Sequence, residues 1–223
     1  MRIERISLVV ADLEVAANYY EHVLGRSVNR TRERVHVAVG MTILELTGDP
    51  NHTGTHHLAI TVPSNKFDAA KEWINSRGDL LALDGADEFE CSPDWDAHSL
   101  YFTSPDGTIL EFIIRRELDN ARSGPFQSSD LLCVSEVGIA MADVTHAVEQ
   151  LAELGISPYG WNAPDFAPLG DVDGLLILVS PDRSWFPTHQ TAQITPISVS
   201  ARAQLTAELT LAPTAHLALT PMR

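Results

Sequence analysis

The chain repeats, and that restricts its fold more than any other feature. Three stretches share one pattern: a short apolar strand, a helix start at an Asp or a Ser-Asn pair, an amphipathic helix, then Gly. The first runs from Arg5 to Asp12 and on through a helix to Leu24-Gly25. Asp12 is a natural N-cap and Gly25 suits the left-handed position that ends a helix. Leu13, Ala16, Ala17, Tyr20 and Leu24 fall on one helical face. The second is His57-Leu-Ala-Ile-Thr-Val-Pro63, then a helix from Ser64 to Arg77, with Phe67, Ala70 and Ile74 as its stripe. The third is Glu136-Val-Gly-Ile-Ala-Met-Ala-Asp143, then a helix to Leu154-Gly155. Val144, Ala147, Val148, Leu151 and Leu154 mark its buried face.

The repeat continues past the helices. Thr42-Ile-Leu-Glu45 closes the first unit and Thr108-Ile-Leu-Glu111 closes the second, 66 positions later. Pro105-Asp-Gly107, between two apolar runs, reads as a hairpin turn before Glu111. Each unit is therefore predicted as β-α-β-β-β. One such unit cannot cover its own sheet; two packed together can, and the space between them becomes a concave site. The expected fold is α+β, with paired βαβββ units forming a cupped mixed sheet. The units span about 1–50 and 54–116, residues 117–130 are a polar linker, and 131–223 hold a partial third unit and a tail. Gly170 to Val179 supplies the third unit's turn and one strong strand, with no Glu where Glu45 and Glu111 sit. Beyond Ala201 the sequence predicts one or two strands or a loose tail.

Charge narrows the partners. Fifteen Lys and Arg against thirty Asp and Glu give a net charge of −15. Nucleic acid and anionic membrane need a basic footprint, so both are disfavoured. No apolar run is long enough for a transmembrane helix, and Met1-Arg-Ile-Glu-Arg5 lacks a signal peptide's apolar core. Cys91 and Cys133 form neither a C-x-x-C pair nor a disulfide framework, which points to a reducing, cytoplasmic setting.

Paired β-α-β-β-β units resemble the vicinal oxygen chelate superfamily, which includes glyoxalase I, extradiol ring-cleavage dioxygenases, methylmalonyl-CoA epimerase, fosfomycin resistance enzymes and bleomycin-binding proteins. The resemblance rests on Ile6 to Leu13 with Tyr19-Tyr20 and Leu24-Gly25, on His57 to Val62, and on Tyr101 to Glu111. The last segment is similar to the extradiol signature, in which a Tyr stands ten residues before a Glu with Pro-x-Gly between. The resemblance implies one metal ligand from the first strand of each unit and one from its last. Carried onto this chain, those positions are Arg5, Glu45, His57 and Glu111. Arg5 is a cation and cannot coordinate one, so the implied metal ligands are His57, Glu111 and Glu45.

Such a set suits a divalent ion such as Fe, Mn, Zn or Ni. Tyr101 takes the place of the substrate-bonding Tyr, and His98 is a candidate base. The outward-facing alternative stands beside each: a strand Glu in solvent, a packed Tyr, a half-exposed His. His36 is a further residue that could face the same cavity, and Trp73 and Trp95 read as core. Arg183 to Pro187 is placed as a loop over the mouth. Asp171 and Asp173 read as turn acids rather than a calcium loop. Two functions follow from the resemblance. One is a metal-dependent lyase, isomerase or dioxygenase acting on a small oxygenated molecule, as a monomer or homodimer. The other is a metal-free binding protein of the bleomycin-resistance type, in which Arg5 neutralises Glu45.

Overall fold

The computed structural model describes residues 1–222. The first unit is β1 (Arg2–Val10), α1 (Leu13–Asn18) running into a π-helical turn (Tyr19–Val23), β2 (Ser27–Arg30), β3 (Arg34–Val39) and β4 (Thr42–Gly48). The second is β5 (His57–Thr61), α2 (Phe67–Asn75), β6 (Phe89–Glu90), β7 (Ala97–Thr103) and β8 (Ile109–Arg115). The third is β9 (Cys133–Ala140), α3 (Val144–Glu153), β10 (Phe166–Asp171) and β11 (Gly174–Val179). Three more strands end the chain: β12 (Ile197–Ala203), β13 (Ala207–Ala212) and β14 (Ala215–Pro221).

The helix ends follow the local chemistry. Asp12 accepts from the backbone N–H of Glu14 and Val15, each at 3.0 Å, and Asp143 accepts from that of His146 at 2.9 Å. Gly25 and Gly155 both have positive φ, as a helix end in the left-handed region requires. The second helix departs from expectation. It begins at Phe67 rather than Ser64, without a side-chain cap; residues 63–66 form a turn in which the Lys66 N–H donates to the Pro63 carbonyl at 2.9 Å.

The strands form two seven-stranded curled sheets of the same design. Their orders are β13-β14-β12-β1-β4-β3-β2 and β10-β11-β9-β5-β8-β7-β6. In each, two parallel pairs meet at a central antiparallel contact: β1 on β12 in the first sheet, β5 on β9 in the second. The paired-unit fold is present, but the first and second units lie in different sheets. The second unit pairs with the third. The first pairs with β12–β14, which repeat the strand pattern of β9–β11 without the helix. The expected tail is thus three strands, two of them ending the sheet.

One face of each sheet shares a single core. Ile6, Leu8, Leu44 and Leu46 of the first sheet and Leu58, Ile60, Leu110 and Phe112 of the second belong to it, with the buried stripes of the helices between. Burial of each such large apolar side chain contributes about 2 kcal/mol. Residues 117–130 lie along this core rather than free of it. Phe126 packs on Trp73 and Phe112, and Asp130 accepts from the buried Lys66 ammonium at 2.9 Å. The other face of each sheet points away from the core, and there the two sheets diverge.

Candidate metal centre

Strand alternation decides which side chains leave the core. In the second sheet β5 turns His57 outward, β8 turns Glu111, β7 turns Ser99 and Tyr101, and β9 turns Glu136. These residues line a cavity of about 760 Å³. One ligand atom each from His57, Glu111 and Glu136 lies within 4.8 Å of the others, and all three residues are buried. The His57 Nε2 stands 3.5 Å from the Glu111 Oε2. Its Nδ1 is buried with no hydrogen-bond partner.

The register explains the grouping. In β5 and β8, His57 sits opposite Ile109 and Ala59 opposite Glu111, so a first-strand ligand and a last-strand ligand are offset by two. Ala59 in turn sits opposite Glu136 on β9. Glu136 faces Leu175 on β11, and Gly138 faces Ile177, which puts Ile177 at the fourth corner. The same register in the first sheet gives Arg5, Glu45, Ser198 and Ala218. Three corners of the second sheet carry ligand types; the first sheet carries one.

The structure therefore brings His57 and Glu111 together and leaves Glu45 in the other sheet. The Glu45 carboxylate bonds Arg34 Nη1 at 2.7 Å, His36 Nε2 at 3.0 Å and Arg5 Nη1 at 3.4 Å. Burial alone would raise its pKa, but the His36 bond and the charges of Arg34, His36 and Arg5 hold it below the usual carboxylate range. The expected Arg5–Glu45 pair exists, on neighbouring strands of the first sheet. His98 also falls outside the cavity. Neighbour to Ser99 on β7, it points to the opposite face, stacks on Phe67 at 3.9 Å and reaches toward Glu90. Tyr101 is in place, its hydroxyl 3.4 Å from the Ser99 Oγ. Trp73 is core, as expected, whereas Trp95 lines the cavity.

Glu136 was not among the sequence-derived ligands. The signal was present, since it opens the third repeat where His57 opens the second. Arg115, fully buried, is the other residue missed. It donates Nη2 to the Glu136 Oε1 and Nη1 to the Ser135 Oγ at 3.0 Å.

Burial sets the protonation states. His57 is pushed down to about 4 by burial, partly opposed by the Ile109 main chain, so its imidazole is neutral. Burial and then the charge of Glu136 raise the Glu111 carboxyl well above its ordinary value, against Arg115, Ser99 and Tyr101. Burial raises Glu136 too, with Arg115 opposing. Two carboxylates share one guanidinium, so the group is one positive charge short when both are ionised. A neutral buried imidazole with an unpartnered nitrogen, beside that surplus negative charge, fits a divalent cation.

Residues 183–189 cross the cavity mouth and line it. Trp185 leans on His57, ring centroids 5.5 Å apart, and Phe186 packs edge-on against Tyr101 and Phe89. Gly138 makes room for this, because a Cβ there would stand 2.5 Å from the Trp185 ring.

The two-sheet design matches known structures over the whole chain. A Bacillus subtilis protein described as a candidate dioxygenase superposes with TM-score 0.60 over 100% of this chain and 86% of its own, at 13% identity. A single-residue variant of glyoxalase I from Zea mays gives TM-score 0.56 over 97% and 92%, at 16% identity. The chain has the vicinal oxygen chelate fold. At these identities the likeness is one of fold. No protein-family model matches the sequence, and no curated protein matches it. Among the described residues, no helix is long and apolar enough to cross a membrane.

Proposed function

We propose that the chain is a divalent-metal-dependent enzyme acting on a small organic substrate that presents two neighbouring oxygens. The observation that carries this reading is the buried His57–Glu111–Glu136 group, one positive charge short when both carboxylates are ionised, at the floor of a cavity large enough for a substrate. These three residues would hold the ion, and Ile177 at the fourth corner leaves positions open for substrate and water. A bound ion supplies Lewis-acid polarisation of the substrate oxygens.

The remaining chemistry belongs to the side chains. Burial and the nearby Glu111 charge raise the Tyr101 phenol well above its ordinary value, so it stays protonated and donates a hydrogen bond rather than removing a proton. A base must come from a carboxylate. Arg115 occupies the Glu136 Oε1 and leaves its second oxygen for the centre, and Glu111 is the more basic candidate for moving a proton at the substrate carbon. Trp185 and Phe186 exclude water from that step.

A metal-free binding protein is the second reading. Its support is no longer Arg5, which lies in the other sheet, but Arg115. With Glu136 paired to Arg115 and a proton on Glu111, the site is neutral without an ion. The test is loading with Fe(II), Mn(II), Zn(II) or Ni(II), followed by dioxygen uptake with diols and hydrogen–deuterium exchange with oxoacids. Turnover with one ion, abolished by His57→Ala, supports the enzyme. Stoichiometric binding of a small molecule with no metal uptake supports the binding protein.

A further inference from the structure

We infer that the edge strand β13 is where two copies of this chain pair, antiparallel, joining their first sheets into one. The pairing is independent of the metal centre. An edge strand presents unpaired N–H and C=O groups that another strand can take, so each edge must be closed, blunted or occupied. The two sheets end in four strands, β2, β6, β10 and β13. Three of them are closed or blunted. β10 holds Pro168, and residues 157–159 run along its outer side: the Tyr159 N–H donates to the Pro168 carbonyl at 2.8 Å and the Gly170 N–H to the Ser157 carbonyl at 3.0 Å. β6 has two residues, and farther along β7 the Tyr101 carbonyl accepts from the Leu81 N–H at 2.8 Å. β2 has four residues and ends at Arg30, whose Nη2 is held by Glu21 at 2.7 Å and Asn18 at 3.0 Å.

β13 is the exception. It has six residues and pairs with β14 on one side. Among the described residues, no backbone hydrogen bond reaches its other side. It carries no Pro, Gly or Lys and one charge, Glu208, so it lacks the features that keep edges apart. Leu205, just before β13, is 49% exposed, and Met222, just after β14, is 56% exposed. Because the two strands are antiparallel, both residues lie at the same end and add apolar surface there.

Charge selects the partner. Residues 49–196, which build the second sheet with α2 and α3, hold 23 Asp and Glu against 7 Lys and Arg. The rest of the chain holds 7 against 8. The net charge of −15 therefore sits on the second-sheet side, and two copies repel least when they meet through their first sheets. Pairing β13 with its own copy does this. The contact uses the same patch on both chains, so it closes at two. A seam of six residues is small, which places the dimer at the weak end of specific association.

The test is the mass of the full chain by light scattering across a dilution series. A dimer at about 100 µM that becomes monomer near about 1 µM is expected. The dimer share is expected to rise with added salt, which screens the repulsion between two acidic chains. Amide hydrogen exchange in 207–212 is expected to slow in concentrated protein, while that in 166–171 stays the same. Leu205 and Thr210 are exposed, so the double variant Leu205→Glu, Thr210→Glu keeps the wild-type circular dichroism and urea midpoint. It is expected to be monomeric throughout the series. Trp161→Glu, next to the β10 edge through its stacking on Phe166, is expected to associate as the wild type does. A wild-type monomer at about 100 µM, a dimer unmoved by the double variant, or growth beyond two chains overturns the inference.

Discussion

At the residue scale, burial moves a carboxyl and an imidazole in opposite directions. Glu111 is a carboxyl raised by burial and by Glu136, so in the unfolded chain it is ionised over a range where the folded chain keeps its proton. Stability from this group is gained as pH falls toward the ordinary carboxylate range and diminished above it. Glu111→Gln is expected to stabilise the metal-free protein at pH 8, read as a higher urea midpoint with chelator present, and to abolish metal binding. His56, next to His57, has the opposite sense. It is buried, its Nε2 lies 2.8 Å from the Val9 carbonyl oxygen, and burial lowers its pKa from 6.5 to about 4. Above about pH 6.5 both states hold it neutral. As pH falls toward 4 the unfolded chain takes up a proton that the folded chain refuses, so stability is lost, by about 2 kcal/mol at pH 5. His56→Gln is expected to remove that part of the slope between pH 7 and pH 5. An unchanged slope would place the titrating group elsewhere.

At the element scale, what was legible in the sequence was what short-range chemistry decides. Asp12 and Asp143 cap their helices, Gly25 and Gly155 end them, and Pro105-Asp-Gly107 turns with Gly107 at positive φ. Side chains settled by long-range partners were not legible. His98 needed the phase of β7, which a half-buried alternation leaves open. Glu136 was readable only once the third repeat was known to pair with the second. The turn joining β3 to β4 shows how tightly the sheets are keyed. Gly40 has φ +55°, and a Cβ there would stand 1.8 Å from the Leu132 carbonyl oxygen, which accepts from the Met41 N–H at 2.9 Å. Gly40→Ala is therefore expected to cost about 2 kcal/mol or more, seen as a lower urea midpoint. A midpoint within error of wild type would mean the turn is not a fixed contact between the sheets.

At the scale of the whole molecule, pairing order is what the repeat alone could not give. Units adjacent in sequence were expected to share a sheet; instead the second and third units are enclosed by the first unit and the last three strands. The physical reason is edge pairing, since β1 and β5 each find an antiparallel partner in a later segment, β12 and β9. The fragment 1–116 would expose both edges and half of each apolar face, so it is expected to aggregate or remain unfolded. A monomeric, cooperatively folded fragment by light scattering and circular dichroism would contradict this pairing. The same pairing separates Glu45 from His57 and supplies Glu136 in its place. The most direct test is metal content, by elemental analysis after reconstitution and gel filtration, of the wild type, Glu136→Gln and Glu45→Gln. Near one ion per chain in the wild type and in Glu45→Gln, with loss in Glu136→Gln, is the expected result. Retention in Glu136→Gln with loss in Glu45→Gln, or no ion in the wild type, would contradict it.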